Sequence, residues 1–234
     1  GLLENEAREL NIGFVSRMSR GRPWLRLKTA ASLDGKTALN NGVSQWITGP
    51  AARRDGHRWR ARACAILTGI GTVRDDDPQL NVRDVETTRQ PLRVVVDSKL
   101  ETPLTARILQ GGPVLIVGAL ENLEKMEMLR STGAEVLIFP NAAGKVELKD
   151  LLEELGRRGI NEVHAEAGFK LNGSLLREGL VDELLLYLAP CLIGHTASGL
   201  FNLPELTNLD GKHQLQIRDL RQVGEDIRLI ARFR

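Results

Sequence analysis

Hydrophobic positions along this chain change period several times, and each change marks an element. Leu3, Ala7, Leu10, Phe14 and Met18 recur at helical spacing, predicting one amphipathic helix that Gly21-Arg22-Pro23 ends. From Trp24 the period falls to two. Leu25, Leu27, Thr29 and Ala31 share one face of a strand, with Trp24, Arg26, Lys28 and Ala30 on the other. Asp34-Gly35 and Asn41-Gly42 are turn dipeptides that bracket a short hairpin-like segment. Gly49-Pro50 opens a helix through about Ala63, with Pro50 in the first turn, where its missing N–H costs nothing. Strands are then predicted over 65–68, 93–97, 114–117, 135–139, 162–166 and 183–189, with helices near 122–130, 148–158 and 169–178. Segments 215–223 and 226–233 read as strands joined in a hairpin at Gly224-Glu225, and 83–91 reads as a polar loop. This alternation predicts an α/β fold: a mostly parallel central sheet, helices on both faces and an antiparallel C-terminal hairpin. Residues 1–20 form a connector helix ahead of a single domain over 21–234.

Composition narrows the function classes. A chain of 234 residues that is 42% hydrophobic and 26% charged has the make-up of an ordinary globular protein. A formal net charge of +2 and an aromatic content of 4% argue against a nucleic-acid partner. Cys64 and Cys191 are the only cysteines, which excludes a disulfide framework and a four-thiolate zinc site and suits a reducing cytoplasm. No signal peptide is read at Gly1, and no apolar run is long enough to cross a bilayer.

Candidate chemistry falls at strand ends. Thr68-Gly69-Ile70-Gly71-Thr72 closes one strand, and the 166–176 segment EAGFKLNGSLL closes another. Glycines there free backbone N–H groups to meet a phosphate at a helix start, although a tight turn alone would also explain them. The spacing is not that of the dinucleotide fingerprint, so an ordinary Rossmann domain is not indicated. The 50–62 helix carries Arg53, Arg54, His57, Arg58, Arg60 and Arg62; Arg53, His57 and Arg60 share a face. Most of these arginines suit a solvated helix, and one suits a bidentate grip on a phosphate, with Arg83 as a second. Asp75-Asp76-Asp77-Pro78 reads first as a solvated turn. His164-Ala165-Glu166 with Pro190-Cys191 imitates a zinc deaminase, but Gly194 stands where the second cysteine is needed, so no metal site is expected.

The 28–83 stretch, RVVVDS at 93–98, EAGFKLNGSLL, and LVDELLLYLAPCLIG at 180–194 together resemble the reductase half of the bifunctional riboflavin-biosynthesis deaminase/reductase family. The resemblance covers nearly the whole chain, and it implies a dihydrofolate-reductase-like fold. It also implies NADPH-dependent reduction of the ribose of 5-amino-6-(5-phosphoribosylamino)uracil, a homodimer, and an N-terminal deaminase domain either fused to or separated from this one. By the same resemblance, cofactor contacts fall on Ala30, Trp46, Thr72, Asp76 and Ser98, and on Gly168, Phe169, Lys170, Leu171, Asn172, Gly173 and Ser174. Substrate contacts fall on Ser44, Arg60, Leu80, Arg83 and Glu166. Lys28 is the candidate proton donor for opening the sugar ring, a step that needs a positioned acid. The competing readings are a reductase of the same fold acting on a pterin and a non-catalytic nucleotide-binding module.

Overall fold

The computed structural model describes residues 1–233. Along the chain run α1 (Glu4–Leu10), α2 (Ile12–Arg20), β1 (Trp24–Ser32), β2 (Lys36–Ala38), α3 (Pro50–Arg62), β3 (Ala65–Gly69), α4 (Ile70–Asp76) and β4 (Leu92–Val96). They are followed by β5 (Val114–Gly118), α5 (Leu123–Ser131), β6 (Glu135–Ile138), α6 (Leu148–Arg157), β7 (Glu162–Ala165) and α7 (Phe169–Arg177). The chain closes with β8 (Glu183–Ala189), β9 (Ser198–Gly199), β10 (Leu215–Val223) and β11 (Asp226–Phe233).

Nine strands form one sheet in the order β10-β11-β8-β1-β7-β3-β4-β5-β6. From β8 to β6 all neighbours are parallel, and β11 and β10 add the antiparallel edge. The order is not sequential: β7 inserts between β1 and β3, so a late strand separates two early ones. Open α/β sheets bind ligands where the strand order reverses, at the carboxyl ends of the strands. Here that place is the crevice above β1, β7 and β3.

Both faces of the sheet are covered, which explains why strands such as Val114–Gly118 are apolar throughout. On one face Leu25, Leu27, Leu67, Val94 and Leu115 pack with Leu151, Leu152 and Leu155 of α6 and Leu175 and Leu176 of α7. Helix α6 places Leu148, Leu151, Leu152 and Leu155 on one stripe, all buried. Each contributes roughly 1.5–3 kcal/mol by leaving water. On the other face Ile66, Val95, Ile116 and Val136 meet Val73 of α4 and Met126 and Leu129 of α5, while α3 sets Ala52 and Trp59 over Leu185, Tyr187 and Ile230.

Two local expectations are corrected. The N-terminal helix is two helices, broken at Asn11, whose side-chain amide donates to the Ala7 carbonyl. Its apolar stripe does not face the domain: Leu3, Leu10, Phe14 and Met18 are exposed, whereas Ile12, Gly13 and Ser16 are buried. Gly13 explains the inversion. A Cβ there would lie 2.6 Å from the Asn161 carbonyl oxygen, so this glycine face is the one that approaches the start of β7. Asp182 fixes the same helix through Arg20 and Arg22 and accepts the Leu25 N–H. The second correction concerns 34–42. Strand β2 pairs with the distant β9, because Asp34 accepts N–H bonds from Ile193 and Gly194 and joins the two loops.

Candidate active site

The alternation of β1 and β7 decides which side chains meet. Arg26 lies in register with His164, and the next outward residues on that face are Lys28 on β1 and Glu166 just beyond β7. Lys28 Nζ is 3.5 Å from Glu166 Oε2. Arg60, on the face of α3 turned to the sheet, grips the same carboxylate with Nε and with Nη2, the latter at 2.9 Å. Three residues far apart in sequence thus form one cationic–anionic cluster in which Glu166 and Arg60 are largely buried. Burial alone would raise the Glu166 pKa; the Arg60 guanidinium and the Lys28 ammonium outweigh it and hold the carboxyl well below the ordinary range. Glu166 is therefore a carboxylate at neutral pH. His164 lies beneath it, fully buried, with Nε2 3.4 Å from Oε1 but without hydrogen-bond alignment. Burial lowers its pKa, so its ring is neutral.

Arg60 also donates to the Asn81 carbonyl at 3.2 Å, so its donors are committed inside the protein. Arg83 differs: it is exposed, and its Nη1 is steadied by Asn81 Oδ1 at 3.2 Å. Of the two expected phosphate grips, Arg83 is the one that faces solvent. Leu80, expected to touch substrate, has its side chain in the core with Ile66 and Val73, which leaves only its backbone for that purpose. Ser44 and Trp46 lie on the loop between β2 and α3. The exposed Trp46 ring packs under the Arg53 guanidinium at 4.7 Å, and neighbouring Gln45 donates to Asp76 at 3.4 Å. Burial raises the Asp76 pKa.

The two glycine-rich junctions converge. A Cβ on Gly168 would stand 3.8 Å from Thr72 Oγ1, and one on Gly69 would stand 3.1 Å from Leu171. Helix α7 starts at Gly168 without a side-chain cap, so its first N–H groups are unclaimed, and Gly168, Phe169 and Lys170 are exposed there. Gly71 has open space where a Cβ would project, and the Thr68 hydroxyl is buried without a partner. Uncapped amides and small residues fit the pyrophosphate of a dinucleotide. Not all of the 168–174 run faces this opening. Asn172 and Gly173 are buried, and a Cβ on Gly173 would collide with the Asn202 backbone, so these two serve packing. Ser174 bonds the Lys170 carbonyl within the helix. Ala30 is half-buried on the Lys28 face of β1, and Ser98 accepts the Val146 N–H beyond β4.

A model of the RibD C-terminal domain matches residues 23–229. The chain belongs to the RibD C-terminal domain family. Riboflavin biosynthesis protein RibD of Haemophilus influenzae is 42% identical over 245 residues, which cover 97% of this chain and 63% of that protein. A solved structure of Acinetobacter baumannii RibD (form 2) has a TM-score of 0.88 at 38% identity, covering 100% of this chain and 64% of that one. The Saccharomyces cerevisiae riboflavin biosynthesis reductase Rib7, at 21% identity and TM-score 0.71, covers 98% of this chain and 100% of its own, and shows a likeness of fold. The chain spans less than two thirds of the length of the RibD relatives. The fold is the dihydrofolate-reductase-like one that the family resemblance implies. Among the described residues no helix is long and apolar enough to cross a membrane.

Sequence reasoning noted His57 without giving it a role and passed over Asn81 and Gln90; the three frame the Arg83 loop. His57 carried a signal, its shared helix face with Arg60. The other two are polar residues in loops, and nothing in their spacing marks them.

Proposed function

We propose that this chain is an NADPH-dependent oxidoreductase of riboflavin biosynthesis that reduces 5-amino-6-(5-phosphoribosylamino)uracil to its ribitylamino product, with hydride delivered to C1′. The observation that carries this reading is Lys28 Nζ held 3.5 Å from the buried Glu166 carboxylate, at the strand-end crevice beside the uncapped start of α7. The α7 amides with Thr72 would hold the cofactor pyrophosphate, and Trp46, Asp76 and Ser98 would border the rest. When bound, the dihydronicotinamide supplies hydride.

The remaining work falls to this chain. The glycosylic nitrogen of the substrate expels the ring oxygen O4′ as Lys28 donates a proton to it, leaving a protonated imine at C1′. Hydride addition at C1′ then gives the neutral amine, and solvent returns the proton to Lys28. Glu166 orients the ammonium and keeps the crevice electrically balanced. Arg83 meets the 5-phosphate, and holding donor and acceptor in contact supplies much of the rate. The cytoplasm suits the two free thiols, Cys64 and Cys191. A homodimer suits edge strand β10, where Leu215, Ile217 and Leu220 are exposed. The extra length of the RibD relatives supports a deaminase domain before this one.

The test is loss of nicotinamide absorbance when the protein meets NADPH and 5-amino-6-(5-phosphoribosylamino)uracil. Substrate-dependent oxidation, faster than with NADH, is expected. Cofactor binding without oxidation would overturn the assignment.

A further inference from the structure

Residues 80–84 carry Arg83 in a backbone that the sequence does not favour. Leu80 and Asp84 have φ of 47° and 62°, the left-handed region in which a residue with a Cβ is disfavoured by about 1–2 kcal/mol. Four attachments hold it there. Leu80 and Val82 are buried side chains. Gln90 acts as a substitute strand: its Oε1 accepts the Val82 N–H at 2.7 Å and its Nε2 donates to the Val82 carbonyl at 3.0 Å. Arg60 donates to the Asn81 carbonyl. The fourth is His57 Nδ1, which accepts the Arg83 N–H at 3.3 Å.

This last contact reaches the Arg83 backbone itself. We propose that His57 is a positioning residue for the phosphate end of the substrate, its Nδ1 fixing the Arg83 backbone so that the guanidinium stands ready for the anion. The proposal rests on the reading of Arg83 given above. Its geometry requires a ring with a lone pair on Nδ1 and a proton on Nε2, which faces Asp84 Oδ2 at 3.7 Å. The charged groups around the ring favour that state. Burial, with Arg60 and Arg83 nearby, outweighs the attraction of Asp84 and Glu166 and lowers the pKa to about 4. His57 is thus an acceptor throughout the neutral range, and it links α3, which anchors Glu166 through Arg60, to the loop that bears Arg83. One helix face sets both ends of the substrate site.

Three variants separate the possibilities. His57→Phe keeps a ring and removes the acceptor; His57→Asn offers Oδ1 where Nδ1 was; Arg83→Ala removes the grip itself. Binding of D-ribose 5-phosphate and of NADPH is measured by calorimetry, and KM and kcat with the full substrate. His57→Phe is expected to weaken ribose 5-phosphate and raise KM by about tenfold, the worth of one hydrogen bond. Its NADPH affinity and kcat should stay near wild type, and His57→Asn should recover most of the loss. If Arg83→Ala weakens ribose 5-phosphate while His57→Phe leaves it unchanged, or damages NADPH binding and kcat equally, the role of His57 is refuted and that of Arg83 stands. If Arg83→Ala has no effect, the phosphate reading fails and the proposal falls with it. Should His57→Phe not fold, nitrogen NMR of the wild-type imidazole decides: a proton on Nε2 is expected, and a proton on Nδ1 would overturn the inference.

Discussion

Replacing Glu166 with Gln tests the electrostatic centre of the site without assuming any reaction. The substitution keeps shape and one acceptor but deletes the charge that balances Arg60 and Lys28, whose side chains are only 14% and 24% exposed. Breaking a buried ion pair from one side costs about 3–5 kcal/mol, and the residual exposure of both cations puts this case near the lower figure. For a chain of this size, about 3 kcal/mol lowers Tm by about 6–12 °C. The pH dependence is the sharper check. The folded-state pKa of Glu166 is depressed below its ordinary value of 4.5, so the ionised form favours folding. That contribution is complete above the unfolded-state pKa and is lost as pH falls through the folded-state one. The stability gap between wild type and Glu166→Gln should hold constant from about pH 8 to about pH 5, then close in more acid solution. Urea unfolding across that range measures it. A second comparison isolates the pair: Arg60→Met combined with Glu166→Gln should be more stable than Glu166→Gln alone, because the stranded cation is gone. A gap that persists undiminished in acid, or a Tm within 2 °C of wild type (roughly 1 kcal/mol or less), would refute the assignment of a buried, charge-balanced carboxylate.

Other substitutions probe the rest. Lys28→Ala should reduce kcat by about 100-fold or more with normal folding and NADPH binding, as expected for loss of a proton donor, and steady-state kinetics beside circular dichroism will check this. Gly173→Ala should destabilise by about 1–3 kcal/mol in urea melts, since the added methyl meets the Asn202 backbone. Tyr187→Phe should cost about 1–3 kcal/mol, because the Tyr187 hydroxyl donates to Asp55 at 2.7 Å in a buried network that also includes Arg228. Thermal melts of that variant against wild type give the figure.

The periodicity of the chain identified the nine strands of the main sheet and helices α3, α5, α6 and α7, because buried parallel strands and striped helices imprint their own spacing; the short α4, read as a glycine junction and an acidic turn, left no such imprint. It could not say that β7 inserts between β1 and β3, since strand order is a long-range choice that no local period records. That single topological fact makes the site. With β7 beside β1, Lys28 and Glu166 become neighbours, and Arg60 reaches the carboxylate from the helix that crosses them. The same limit left the direction of the N-terminal stripe open. Helical spacing of Leu3, Leu10, Phe14 and Met18 gives a face but not its direction, and Gly13 against Asn161 turned the opposite face inward. Leu80, which the family resemblance placed beside substrate, meets the same limit. Its side chain follows from a left-handed backbone that points it to the core, a conformation invisible in a sequence without glycine at that position. Residue type marked the chemistry of Lys28, Glu166 and Arg83; only the order of the strands and the shape of one loop decide which of them can act together.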